Sequence, residues 1–281
     1  MTLANQDNNL IIESLMKIIE RYSSDETNVI KSIKPDFINK IEKLLTQKNI
    51  TLAISGESAS GKSTFVESIQ DYISFLQEFS EDNILTIISG DNYFNDISKE
   101  IKQYGSFNAL IDSGYNPDAP ESFQLDLMRE DIANLKNGID IKIPQYKVNG
   151  TGISVPKAIE KKSSDINIVE GICVLYDKVH DLFDIKIYID VDEDIRKERY
   201  LSRAKQRNQS LEEVKEQWEI VNKSAIKYIR PTKKHADIVI NGSIEIRQLK
   251  NFASDLLSTV ASFKRQKSSD IFSREFALKN D

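Results

Sequence analysis

At 281 residues the chain has room for one large domain with extensions or for two small ones, and it can bury a sizeable core. An apolar share of 40% and a charged share of 29% are ordinary for a globular protein, and a net charge of −6 argues against nucleic acid or an anionic membrane as the main partner. The single cysteine, Cys173, excludes an internal disulfide, fits a reducing compartment and sits in an apolar run, where it is expected to pack as a small hydrophobe.

Met1 to Asn9 carry no basic stretch followed by an apolar one, so no secretory signal is expected. No apolar run approaches the roughly 20 residues of a membrane span, and a cytoplasmic location follows as an expectation. The two histidines, His180 and His235, have no cysteine or histidine at ligand spacing, so no zinc site is expected.

Along the chain, residues 8–22 carry Leu10, Ile11, Ile12, Leu15, Met16, Ile18 and Ile19 at helical spacing. Ser23 to Pro35 is polar and reads as a connection. Asp36 to about Gln47 reads as a second helix, with Phe37, Ile38, Ile41, Leu44 and Leu45 on its inner side. The segment 1–49 is therefore expected as an N-terminal helical extension. It would cap the sheet, or serve as a docking layer or a homo-oligomer contact.

Ile50-Thr51-Leu52-Ala53-Ile54-Ser55 reads as a buried strand, and the octet Gly56-Glu57-Ser58-Ala59-Ser60-Gly61-Lys62-Ser63, followed by Thr64, fits G-x-x-x-x-G-K-[ST]. Backbone N–H groups of such a loop curl around phosphate oxygens, and the two glycines permit the backbone angles and the close approach. Lys62 would place its charge on the β- and γ-phosphates, and the Ser63 hydroxyl would sit on Mg²⁺. Phe65, Val66, Ile69, Tyr72, Ile73, Leu76 and Phe79 continue at helical spacing, so a helix N-terminus also faces the anion. A chance match arises in roughly 1% of chains this long. The strand before it and the helix after it make chance rarer still.

Ile84 to Ser89 is a second strand, ending in Gly90-Asp91-Asn92-Tyr93-Phe94. Ligands of parallel sheets bind beyond the carboxyl ends of the strands, which puts Asp91 near whatever the loop holds. A turn or cap role is its alternative. Ile97 to Tyr115 is mixed, without a clear period. A turn at Asn116 to Phe123 leads into a helix with Leu125, Leu127, Met128, Ile132 and Leu135 inside. Ile139 to Tyr146 is extended, and Lys147 to Ser164 is a loop or hairpin.

Ile166 to Gly171 is a third strand, closed by Glu170, where a Walker B-type Mg²⁺ partner sits. A fourth strand, Ile185 to Ile189, leads into a helix with Arg196, Arg199, Arg203 and Arg207 on one face. Arg196 could pair with Asp192. The other three have no acid three or four residues away, which suits an external triphosphate better than a merely solvated face. Ser210 with Glu213 makes a capping box for the next helix, which ends at Pro231. Ala236 to Ile240 is a fifth strand. Ile244 to about Lys264 is a last helix, and the polar tail beyond Gln266 is expected to fray.

These elements imply a P-loop NTPase-type α/β fold: a doubly wound, mostly parallel five-stranded sheet with flanking helices and an arginine-bearing lid helix. Residues 50–243 would form this domain and 244–281 a C-terminal helix and tail. With the motifs placed, the chain resembles the uridine kinase and phosphoribulokinase-like family of P-loop kinases, from about Ile50 to Ser243. The resemblance is carried by GESASGKST at 56–64, SGDNYF at 89–94, NPDAPESFQLDLMREDIANLKNG at 116–138, IPQY at 143–146, IVEGI at 168–172, DVDEDIR at 190–196 and IRPTKKHADIVI at 229–240.

The resemblance implies ATP and Mg²⁺ as cofactors and a small-molecule acceptor. It implies that Asp91 is a general base that also helps hold Mg²⁺, and that Glu170 is the acid at the metal. Tyr93, Tyr115 and Tyr146 would line the acceptor site. Arg199, Arg203 and Arg207 would be lid arginines reaching the phosphates or the acceptor, and Pro231 to Asp237 would lie close to the adenine. Uridine kinases usually have Asp-His before Pro-Asp-Ala, that Asp contacting the ribose hydroxyls, whereas Tyr115-Asn116 stands here. They usually have Asp and then His after IPxY, whereas Lys147-Val148-Asn149-Gly150 stands here, and Arg207-Asn208-Gln209 replaces the usual Arg-Gly-Arg. These departures touch acceptor recognition and leave the ATP and Mg²⁺ machinery intact. The expected function is phosphoryl transfer from ATP to the 5′-hydroxyl of a pyrimidine ribonucleoside. The alternatives are a sugar, sugar-phosphate or glycerate-like acceptor, or a nucleotide-binding regulator without chemistry.

Overall fold

The computed structural model describes residues 3–44, 47, 49–77, 84–147, 150–206, 210–256 and 258–259. The first half runs α1 (Leu3–Ser23), β1 (Ile30–Ile33), α2 (Phe37–Leu44), β2 (Ile50–Gly56), α3 (Lys62–Gln77), β3 (Leu85–Ser89), α4 (Ser98–Tyr104), α5 (Phe107–Asp112) and α6 (Leu125–Lys136). The second half runs β4 (Ile141–Tyr146), β5 (Ser154–Lys161), β6 (Ile166–Glu170), β7 (Ile185–Asp190), α7 (Glu193–Gln206), α8 (Leu211–Ser224), β8 (Ile238–Asn241) and α9 (246–256).

Every residue of β2 is buried, as a strand covered on both faces must be. It sits inside a six-stranded sheet of order β1-β8-β7-β2-β6-β3. β3, β6, β2, β7 and β8 are parallel. They are the five strands legible as apolar runs. The sixth, β1, pairs antiparallel with β8 at the edge. It corrects the reading of Ser23–Pro35 as a mere connection. Only four residues long, with two of them exposed, it shows no period of its own and is defined by the β8 edge it covers.

Side chains alternate between two cores. Leu52, Ile54, Ile168, Ile187 and Ile240 face a layer that includes Leu15, Tyr22, Phe37, Ile41, Phe65, Ile69, Leu249 and Phe252, from α1, α2, α3 and α9. Ala53, Val169 and Tyr188 face Met128, Ile132, Ile143, Cys173 and Ile229 on the other side. Each fully buried Ile, Leu or Phe contributes about 1.5–3 kcal/mol over its exposed state. Residues of the N-terminal segment and of α9 thus share one core with the P-loop strand.

Ile97–Tyr115, which shows no period, folds as the short helices α4 and α5. Gly105 (φ +88°) turns the chain between them, and Ser106 caps α5 through the Ala109 N–H. The 147–164 stretch supplies the second arm of an antiparallel hairpin, β4–β5, and its register shifts beside Pro144. Ser210 stands at the α8 N-cap without a side-chain cap bond, and the Glu213 side chain lies outside the description, so the capping box finds no support. Phe79 and the tail beyond Gln266 lie outside the described residues. Among those described, no helix is long and apolar enough to cross a membrane.

Candidate active site

The carboxyl ends of β2, β3 and β6 open on one cleft of about 240 Å³. Sheet order reverses at β2, with β6 on one side and β7 on the other, so the P-loop emerges at a switch point. Gly56 (φ +154°) allows the turn out of the strand, because a side chain there would meet the Ile189 carbonyl at 2.6 Å and Ser60 Oγ at 2.7 Å. Gly61 has φ +97°, and Ala59, which is not glycine, is held at φ +65°. That left-handed angle costs about 1–2 kcal/mol and shapes the loop that presents its amides.

Ser58, Ala59, Ser60, Gly61, Lys62, Ser63 and Thr64 line the cleft together with Asp91, Glu170 and Arg203. Lys62 Nζ donates to the carbonyls of Gly56 (2.9 Å) and Glu57 (3.1 Å). Burial lowers its pKa, and the charges of Glu170, Asp91 and Asp118 oppose that fall. Asp91 is the second residue of a 3-10 turn (Gly90–Tyr93), and its N–H donates to the capping Ser89 hydroxyl. It faces the cleft, where desolvation raises its carboxyl and Lys62 pulls it back down. Desolvation and the Asp91 charge raise Glu170, while Lys62 and a hydrogen bond with the Ser89 side chain pull it down. Three acids thus surround one lysine, and none of them makes an ion pair among the described residues.

The third acid is Asp118, which the sequence reading used only as part of a family block. It is buried, lines the cleft, and is pushed up to about 6 by desolvation and by the Asp91 charge, against Lys62. The Tyr176 hydroxyl donates to its carbonyl, and its N–H donates to Asn116 Oδ1 at 3.0 Å, so its backbone is fixed. Asn116 in turn holds the Ser224 hydroxyl, at 2.9 Å through its amide nitrogen.

The other expected residues are sorted by burial. Glu57 belongs to the loop but turns its side chain inward, 4% exposed, where Arg196 and Arg230 clasp it. Arg196 does not pair with Asp192. Wholly buried, it donates through Nε to the Ser58 carbonyl at 3.2 Å, lies over the Trp218 ring, and braces α7 on the P-loop. Arg199 donates to the Gly242 carbonyl at 2.9 Å, close beside Gly61. Arg203, exposed at the cleft, makes no ion pair among the described residues, and Arg207 lies outside them.

Tyr93 does not line the cleft. It is 1% exposed and its hydroxyl donates to Asp131 at 2.8 Å. Its neighbour Phe94 takes that place, with Tyr146 tilted against it at 5.0 Å and Phe123 stacked behind at 4.3 Å. Tyr115 is half-buried near Ser122 and Asp118.

The donor set of Ser63, Asp91 and Glu170 is all hard oxygen, two of its members being carboxylates raised by desolvation and without an ion pair among the described residues. That chemistry fits Mg²⁺, which takes one or two carboxylates and completes its shell with phosphate oxygens and water.

A family model for "Phosphoribulokinase / Uridine kinase family" matches residues 51–246. The uridine kinase of Staphylococcus aureus (strain JH9) is 34% identical over 193 residues, which span 67% of this chain and 86% of that protein. A solved structure from Silicibacter sp. TM1040, assigned as a fructose transport system kinase, superposes with a TM-score of 0.51 at 16% identity, over 70% of this chain and 91% of the other. YFH7 from Saccharomyces cerevisiae, assigned as a P-loop-containing kinase with a circular permutation, gives 0.52 at 13% identity over 74% and 96%. At those identities the two structures speak for the fold alone.

Proposed function

The chain belongs to the phosphoribulokinase/uridine kinase family and is a small-molecule kinase, and from that premise we propose that it transfers the γ-phosphoryl group of ATP to the 5′-hydroxyl of a pyrimidine ribonucleoside. The observation that carries this reading is the convergence of Lys62, Asp91, Glu170 and Arg203 on one cleft at the P-loop.

The P-loop amides and the α3 N-terminus bind the phosphates, and Lys62 neutralises charge on the β- and γ-oxygens. Ser63, Asp91 and Glu170 would hold Mg²⁺, which when bound supplies Lewis-acid charge to the phosphate oxygens. Asp91 aims the acceptor hydroxyl and takes its proton as the bond to phosphorus forms. Arg203, without an ion pair among the described residues, would follow the moving phosphoryl oxygens from the lid helix. Phe94 and Tyr146 offer an aromatic wall for a flat base, and Asp118 offers a second carboxylate for an acceptor hydroxyl.

A second acceptor class has an observation in its favour. Asn116, where uridine kinases usually have His, is engaged with Ser224 and the Asp118 N–H. Sugar, sugar-phosphate or glycerate-like acceptors therefore stand next to the nucleosides. ADP release from ATP across a panel of nucleosides, sugar phosphates and glycerate tests both. Uridine- or cytidine-dependent release is the expected result. Turnover confined to a sugar or glycerate reassigns the acceptor, and tight ATP binding with no turnover on any acceptor makes the chain a nucleotide-binding regulator.

A further inference from the structure

We propose that Asp177, His180 and His235 form a second metal site, for a borderline divalent ion such as Zn²⁺, at the edge of the sheet opposite the P-loop cleft. The chain has two histidines, far apart in sequence. The fold stacks them face to face, ring centroids 3.7 Å apart and 17° from parallel. His235 Nε2 lies 2.8 Å from Asp177 Oδ1, and one ligand atom from each of the three residues falls within 4.8 Å of the others. Sequence spacing gave no hint of this, because the partners meet only through tertiary structure.

The location separates this cluster from the kinase centre. His180 begins the turn that runs through Asp184 into the start of β7, and His235 ends the turn that leads into the start of β8. The P-loop, Asp91 and Glu170 gather at the other ends of the strands. Both histidine backbones are held: the His180 N–H donates to the Tyr176 carbonyl at 3.1 Å, and Lys34 Nζ donates to the His235 carbonyl at 3.1 Å. Only side-chain rotation is needed to gather the donors.

Two imidazoles with one carboxylate suit Zn²⁺, Co²⁺ or Ni²⁺, whereas Mg²⁺ and Ca²⁺ want oxygen alone. Ligands bind zinc at about 2.0–2.1 Å in a tetrahedron, with water completing the shell, so the rings must splay and the donors must close by about 1–1.5 Å. Asp177 is exposed and can follow. Protonating both stacked rings would put like charges in contact, and burial together with His235 already holds His180 below its usual value. The neutral ring is the ligand form. Of the other charges, Asp181 is engaged by Arg129, Lys186 leans on Asp237, and Lys234 lies near Asp177.

The test uses the full chain, stripped with a chelator and then titrated with Zn²⁺ or Co²⁺ in the presence of Mg²⁺ and ADP. The expected result is one Zn²⁺ per chain, Co²⁺ visible bands of a nitrogen–oxygen site, and a Tm rise of about 5 °C or more at roughly a hundredfold excess over Kd. His180→Phe and His235→Phe keep a ring for the stack and should lose the bands and the Tm rise, and His180→Phe should leave ADP-forming activity unchanged. In the wild type, Zn²⁺ should shield both histidines from carbethoxylation, a readout that needs no variant to fold. No Zn²⁺-dependent shift or shielding in the wild type overturns the proposal. So does a signal that survives in both Phe variants, or one that vanishes in Glu170→Gln, which would put the ion in the cleft.

Discussion

At the starts of β2, β7 and β8, Asp184 and Asp237 are buried and fully answered. Asp184 accepts from the Thr51 N–H and hydroxyl at 2.9 Å each and from Lys136 at 2.7 Å. Asp237 accepts from Lys40 at 2.6 Å and from the Lys186 N–H at 2.8 Å. At the opposite edge of the sheet, beyond the carboxyl ends of β2, β3 and β6, Asp91, Asp118 and Glu170 crowd around Lys62, whose own hydrogen bonds go to loop carbonyls. One residue type does opposite work at the two edges. Paired carboxylates tie the strand starts to their connections, while those in the cleft stand around one lysine with no ion pair among the described residues, the arrangement that the proposed phosphate and cation would complete.

The comparison breaks if charge can be removed from the cleft without loss of catalysis. Lys62→Ala should lower kcat by about 10³-fold or more, because in the proposed mechanism one side chain both binds phosphate and neutralises transition-state charge. Its Tm should hold. Steady-state ADP release measures the first and a thermal melt the second. A retained kcat would remove the P-loop assignment. Asp91→Asn should keep nucleotide binding within about tenfold while kcat falls by roughly 10²–10⁴, the range of a positioned base. Near wild-type turnover would make Asp91 a turn residue. Arg203→Ala should cost about 10²-fold in kcat or in kcat/KM for ATP, the scale of one transition-state donor. A mutant changed only in Tm would make the arginine stripe structural.

The strand-start edge gives the contrasting case. Asp184→Ala leaves the Thr51 N–H without its side-chain acceptor, the Thr51 hydroxyl and Lys136 with only the Leu182 carbonyl, and Lys136 without its ion pair. It should cost about 2–3 kcal/mol in urea unfolding, with kcat unchanged in the folded fraction. A stability loss below about 0.5 kcal/mol would mean that this edge is no better paired than the cleft.

How much of this was legible depended on range. The five parallel strands are continuous apolar runs, and the P-loop, Asp91 and Glu170 are named by their position at strand ends, so local pattern sufficed. Elements defined by distant partners were not legible. β1 exists because β8 has an open edge. Arg196 is matched not with nearby Asp192 but with Glu57, on the P-loop of another strand, so a helical-spacing rule chose the wrong acid. Tyr93 and Phe94 exchanged roles because the 3-10 turn over Gly90–Tyr93 decides which ring enters the cleft, and no period announces such a turn. Asp118 was visible only as a letter in a block, since its meaning lies in its proximity to Asp91. The two histidines meet through connections that start at β6 and end at β8.

Asp118 gives the smallest effect and the sharpest sign. Its folded-state pKa of about 6 stands above the usual 3.8, so the folded protein holds a proton that the unfolded chain has already lost between those values. Stability contributed by this group therefore falls as pH rises from about 4 to about 6, and the cost is fully present above that. Asp118→Asn removes the charge and nearly keeps the shape. At pH 7.5 it should be more stable than the wild type by about 1–3 kcal/mol, the shift itself corresponding to roughly 3. The advantage should shrink toward pH 4.5. Urea midpoints of the two proteins at both pH values measure it. Asp184→Asn, at the paired edge, should lower stability at pH 7.5. If both substitutions moved stability in the same direction, the two edges would be equivalent in their electrostatics. Opposite signs would make Asp118 a charge kept at the expense of stability, for which acceptor binding at the cleft is the remaining use.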